Sequence, residues 1–175
     1  PRSKKIWVFG HPAKFEGNSK YFLLYVQNEK RSAVTSIWIS RNRKVVEELQ
    51  KNGYNAALAG SLTGIWHILR AKYFMIDTSV EAIHYRLSGA AQVINLFHAL
   101  PIKKMERDVE KGDSTEVTLF HSKGVVKFIM HFLVPWRFVK PAYVASTSPL
   151  YTKVFSSMFR IPETRVKEAG FPRND

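Results

Sequence analysis

Apolar positions along the chain gather into short dense runs: IWVF at 6–9, SIWIS at 36–40, YFMI at 73–76, QVINLF at 92–97 and AYVAS at 142–146. They are brief and rich in β-branched and aromatic residues, so they read as buried strands. Between most of them lie longer stretches of helical character, SKYFLLYVQNE (19–29), NRKVVEELQKNG (42–53) and SLTGIWHILRAK (61–72). This alternation predicts βαβ units around a mainly parallel sheet, a Rossmann-like α/β domain. The helix over 42–53 is the most sharply bounded. Asn42 can cap its start, Gly53 can end it, and Val45, Val46 and Leu49 fall on the stripe expected to face the core.

The 175 residues, 45% of them hydrophobic, suit one domain with its own core, spanning 1–175. No repeat, low-complexity tract or Gly/Ser/Pro linker divides them. The chain has no cysteine, which excludes disulfides, cysteine zinc sites and a thiol nucleophile. No apolar run approaches the ~20 residues a spanning helix needs, and no signal-peptide pattern opens the chain. It begins PRSKK and stops at GFPRND, so a piece of a longer protein is expected.

Charge changes the picture. With 27 Lys+Arg against 14 Asp+Glu the formal net charge is +13, which calls for a polyanionic partner: nucleic acid, an anionic membrane or a phosphate-rich substrate. No helix-turn-helix, zinc-finger or RNP pattern supports the first, so a nucleic-acid partner is not expected. The segment at about 122–141, containing KGVVKFIMHFLVPWRFVKP, holds four Lys/Arg and no acid among large apolar side chains. A helix there would carry Val125, Phe128, Ile129, Phe132 and Trp136 on one side and stop near Pro135. That is the composition of a helix lying in an anionic lipid interface, with Lys123, Lys127, Phe128, Phe132, Trp136, Arg137 and Lys140 as the membrane-associating set. The alternative is an amphipathic helix covering the sheet.

Ligands bind open α/β sheets at the carboxyl ends of the strands. His98 follows QVINLF directly and is expected at that rim, where it can hydrogen-bond its loop or act as a base on a hydroxyl. A helix starting near Pro101 would aim its first N–H groups, with Lys103, at an arriving anion. The loop GHPAKFEGNSKYF (10–22) matches neither the dinucleotide nor the Walker phosphate fingerprint. There Asn18 or Ser19 caps a helix and Lys20 is a solvated charge, or Asn18 and Lys20 line the same cleft. Asp77, just past another strand, can cap a helix or orient a basic partner, and Arg86 follows in DTSVEAIHYR. No HExxH or HxH pair joins the six histidines, so neither a metal site nor a cofactor is expected. His11, His67, His121 and His131 receive no role from spacing.

The segments GNSKYF, IWIS, HYRLSGAAQVINLFHALPIKK and GFPRND, in this order, resemble the CDP-glycerol glycerophosphotransferases of wall teichoic acid synthesis and the related poly(glycerol phosphate) and poly(ribitol phosphate) polymerases. They are similar to that family's DNxKY-type loop, WHGxPxK signature and G-[YF]-PR-[ND] segment, from about residue 6 to the end. Phe97 and Ala99 stand where the family usually has Trp and Gly, and Gly17 where Asp is common; His98, Pro101 and Lys103 match. Ala99 would shift the loop if its backbone needs positive φ.

The resemblance implies the N-terminal, acceptor-binding half of a GT-B enzyme on the cytoplasmic membrane face, its donor-binding domain absent and the isolated chain inactive. The partners implied are CDP-glycerol, a lipid-linked poly(glycerol phosphate) acceptor and an anionic membrane, with His98 as general base. Lys103, Asn18, Lys20, Asp77 and Arg86 are the candidate substrate-binding residues. The alternatives are a ribitol-phosphate or capsule polyol-phosphate transferase of the same fold, or a membrane-binding module without chemistry.

Overall fold

The computed structural model describes residues 1–12, 14–29 and 33–174. Among them runs one seven-stranded sheet: β1 (Ser3–Gly10), β2 (Thr35–Ser40), β3 (Ala56–Leu58), β4 (Ala71–Ile76), β5 (Gln92–Asn95), β6 (Tyr143–Ser146) and β7 (Val166–Glu168). Every ladder is parallel, and the spatial order is β3-β2-β1-β4-β5-β6-β7. The helices are α1 (Gly17–Glu29), α2 (Arg43–Lys51), α3 (Leu62–Arg70), α4 (Thr115–His121), α5 (Gly124–Leu133) and α6 (Pro149–Phe159). The chain first walks outward from β1 to β3 and then returns to place β4 on the other side of β1. That reversal puts the topological switch point between β1 and β4, where open α/β sheets bind ligands.

Strand alternation sorts the core onto both faces of the sheet. On one face Ile6, Val8, Phe74 and Ile76 pack with Ile68 of α3. On the other, Phe9, Trp38 and Met75 pack with Leu23 and Val26 of α1 and with Val46 and Leu49 of α2. Around β6 and β7, Val144 and Val166 meet Phe155, Met158 and Phe159 of α6.

Helix boundaries follow local capping. The Asn42 side chain accepts from the Lys44 N–H at the start of α2, and Gly53, at φ +80, lies just past its end. Val45 is only half-buried, while Val46 and Leu49 are core. The helical stretch expected at 61–72 is shorter than its pattern, because α3 stops at Arg70 and β4 begins at Ala71 with no intervening loop. QVINLF is strand only to Asn95.

Within the segment at 122–141, helix α5 does not cover the sheet. None of the residues of α5 is buried, and Phe128 and Phe132 are 74% and 78% exposed. The helix ends at Leu133 and Pro135 opens a 3₁₀ turn over Pro135–Phe138. That turn takes Trp136 off the face it was expected to share with Phe128 and Phe132 and packs it against the core beside Tyr85.

Candidate active site

Register levels the carboxyl ends of the central strands: Gly10 pairs with Ile76, and Ile76 with Asn95. The next residues, His11, Asp77 and Leu96, therefore form one rim, and α1 begins beside it. Asp77, fully buried, accepts from the Ser19 backbone N–H (3.0 Å) and hydroxyl (2.9 Å). It thus caps α1 from another strand, in place of the local caps expected at Asn18 or Ser19. Gly17 makes room for it: at φ +79, a Cβ there would strike the Asp77 carboxylate. Burial pushes the Asp77 carboxyl up to about 6, opposed by the Ser19 hydroxyl, the Ser19 N–H and the positive charges of His98 and Arg173.

His98 is held by its neighbours. Asn18 donates through Nδ2 to the carbonyls of Phe97 (2.6 Å) and Leu96 (3.2 Å), while Asn95 Oδ1 accepts from the Phe97 N–H (2.8 Å). The left-handed residue of this turn is Phe97, at φ 52; Ala99 is not in that region, so it needs no glycine's freedom. The imidazole stacks on the Phe97 ring at 4.7 Å, and its Nδ1 lies 3.2 Å from the Asp77 carbonyl oxygen. A carbonyl only accepts, so Nδ1 carries a proton, and in the neutral ring the lone pair is the one on Nε2. From the chain's last turn, the Arg173 N–H donates to Asn18 Oδ1 (3.3 Å) and its guanidinium to the His98 carbonyl (3.2 Å). GNSKYF, FHALP and GFPRND therefore meet at Asn18; the final Asp175 of the last segment lies outside the described residues.

His98 lines a cavity of about 280 Å³ with Asn95, Phe97, Glu106, Arg137 and Trp136 among its walls. Arg137, grouped by sequence with the membrane segment, turns inward and places Nη2 3.4 Å from both Glu106 carboxylate oxygens. Burial raises the Glu106 carboxyl, against the charges of Arg137 and Arg107.

The other predicted residues lie apart. No helix begins at Pro101: the chain runs as loop to a 3₁₀ turn at Glu106–Asp108, so the anticipated fan of N–H groups is absent there. Lys103 lines a second cavity, about 540 Å³, with Lys104, Lys153 and Arg160, separated from the first by Met105, which faces both. The Lys20 ammonium sits over the Phe15 and Tyr21 rings at 5.3 and 5.4 Å. Arg86 is exposed, in a shallow cavity with Arg41, Glu81 and His84. Lys140 donates to the Arg160 carbonyl (2.9 Å), whereas Lys123 and Lys127 are exposed on and beside α5.

Four residues escaped the sequence reading: His11, Glu106, Arg137 as a cavity residue, and Arg173. His11 is near enough to His98 for the charge of one to oppose that of the other, and its Nε2 is 3.8 Å from Glu16. Its position just past the IWVF strand was the available signal. Among the described residues no group of three or more His, Asp or Glu is placed to hold a metal ion.

Parallel sheet, switch-point cleft and rim histidine define a Rossmann-like α/β domain with a cavity at its strand ends. Residues 2–175 match the sequence profile of CDP-Glycerol:Poly(glycerophosphate) glycerophosphotransferase, and the chain belongs to that family. Similar solved structures include the wall teichoic acid polymerase TagF, at TM-score 0.69 and 17% identity. A histidine-to-asparagine variant of TagF soaked with CDPG aligns at TM-score 0.71 and 18% identity. Each alignment covers 99% of this chain and 40% of the other, so the chain spans about 40% of the length of those structures. A glycosyltransferase from Rickettsia africae ESF-5 aligns at TM-score 0.50 and 15% identity, over 94% of this chain and 42% of its own. No curated protein matches.

Proposed function

We propose that this chain is the acceptor-binding part of an enzyme that transfers glycerol phosphate from CDP-glycerol to a lipid-linked poly(glycerol phosphate) acceptor, with His98 as general base. The observation that carries the reading is the Nδ1–H contact to the Asp77 carbonyl, which in the neutral tautomer places the lone pair on Nε2 of a ring lining the strand-end cavity. The terminal hydroxyl oxygen of the acceptor attacks the β-phosphorus of CDP-glycerol. Its proton passes to His98 Nε2, the new P–O bond forms, and the pyrophosphate P–O bond breaks with its electron pair leaving on CMP. Such transfers depend on positioning and charge stabilisation, and the family membership supports this chemistry over other hydroxyl activations.

The rest of the donor site lies in a second domain of a GT-B arrangement. The protein works on the inner membrane face, where α5 lies in the lipid interface. No helix among the described residues is long and apolar enough to cross a membrane, and the exposed Phe128 and Phe132 beside Lys123 and Lys127 fit an interfacial helix.

The test is transfer by the full-length protein with CDP-glycerol and a poly(glycerol phosphate) acceptor, before and after His98→Ala. General-base loss should lower kcat by roughly 10²–10⁴-fold. Near-normal transfer by the variant would remove His98 from the base role, and transfer from CDP-ribitol in preference to CDP-glycerol would change the substrate.

A further inference from the structure

We propose that Glu106 and Arg137 form the subsite that grips the terminal polyol-phosphate unit of the acceptor, the carboxylate taking the hydroxyl next to the attacking one and the guanidinium taking the phosphate. This rests on the acceptor-domain reading above and assigns the site's specificity to two further residues.

Glu106 holds φ at 52, a left-handed conformation that is strained for a residue other than glycine. Strain of this kind persists where surrounding structure imposes it, and it gathers at ligand sites. Here it accompanies a carboxylate that is largely buried in the wall of the cavity His98 lines. Burial raises its carboxyl, and the charge of His98 reaches it, so the two groups share one electrostatic environment. The pairing with Arg137 leaves room for a ligand: Nη2 is 3.4 Å from both oxygens, at the outer limit of a hydrogen bond and short of the tight bidentate fork a guanidinium can make. Both partners keep unused capacity, donors on one side and acceptors on the other.

That pairing of chemistries matches a polyol phosphate. Its hydroxyls donate to a carboxylate, its phosphate oxygens accept from a guanidinium, and the two groups are a few bonds apart. The cavity, at about 280 Å³, lies just below the range that holds drug-sized ligands, as suits one such unit. With the unit so placed, the primary hydroxyl is the group left to His98.

A purely structural pair would instead brace the loop after His98 against the turn at Pro135–Phe138, and full-length protein distinguishes the two roles. Glu106→Gly removes the carboxylate and also relieves the positive φ, so its melting temperature should hold or rise. Its KM for the acceptor should rise about tenfold or more, the usual worth of a charged hydrogen bond, while the KM for CDP-glycerol stays put. Glu106→Gln should raise the acceptor KM in the same direction. Titration of glycerol 3-phosphate, followed by calorimetry, should show binding that weakens by a similar factor in Glu106→Gly and in Arg137→Ala.

An acceptor KM within twofold of wild type in both Glu106 variants overturns the subsite. So does a wild-type protein that binds no glycerol 3-phosphate, or a Glu106→Gly protein that melts lower and binds it unchanged. A wild-type protein that binds glycerol 3-phosphate but transfers nothing from CDP-glycerol would keep the subsite and remove the transferase reading.

Discussion

Two donors from Ser19 favour the charged form of Asp77 and burial opposes it, and burial wins, since the group ends at about 6 from an ordinary 3.8. The folded state therefore binds this proton more tightly than the unfolded chain. The resulting stability is fully present below about pH 3.8 and is lost as pH rises through about 6, a difference of about 3 kcal/mol. Asp77→Asn removes the titrating group. Urea unfolding at a series of pH values should show the stability of the wild type falling relative to the variant between pH 4 and 7; parallel curves would contradict the assignment. Asp77 and His98 were both legible in the chain, because each directly follows an apolar run. Their union through the Asp77 carbonyl was not, since it spans 21 residues and depends on β4 and β5 lying side by side. Glu106 was less legible still. Nothing in KKMERDVE distinguishes it from its charged neighbours until the backbone turns its side chain into the cavity.

At the scale of elements, α5 carries its apolar side chains into solvent, and Phe128 and Phe132, four residues apart, share a face. Burying a phenylalanine in an apolar medium is worth roughly 1.5–3 kcal/mol. Replacing both by Glu should weaken binding to anionic vesicles by at least tenfold, read by co-sedimentation, with the melting temperature unchanged because neither side chain is buried. Equal vesicle binding by the variant would take α5 out of the interface.

The limits of pattern reading show in the same segment. Pro135 rightly ended the helix, but helical periodicity carried Trp136 onward at the same phase, and a phase has no meaning once the 3₁₀ turn re-aims the chain. Similarly β3 and β7, three residues each, are too short to display alternation, so neither was visible as a strand. For α3 and β4 the difficulty was a direct junction, where one apolar stretch serves two elements with no turn residue between them.

Across the molecule the excess of 13 positive charges should act at long range, so salt is the natural probe. Vesicle binding by this chain should weaken about tenfold or more between roughly 0.05 and 0.5 M NaCl yet keep a residue from the apolar face of α5. Binding to a mixed-sequence RNA under the same series should be weaker at every point. RNA bound tightly while anionic vesicles are ignored would reverse the order of partners.

Local physics made much of this protein readable from its chain. Strand and helix alternate because side-chain period and capping are properties of neighbouring residues, and they imply a parallel sheet whose ligand site lies at the strand ends. The charge and the unusual segment at 122–141 were likewise written in composition. What composition and spacing could not contain was the set of partners drawn from distant segments: Asn18 with the Phe97 carbonyl, Arg173 with Asn18 and His98, Glu106 with Arg137. Each joins residues 31 to 155 positions apart. Whether a lysine such as Lys103 stands at the histidine's cavity or at the next one depends on the path of a loop, and that path is set by packing, with no periodic signal in the chain.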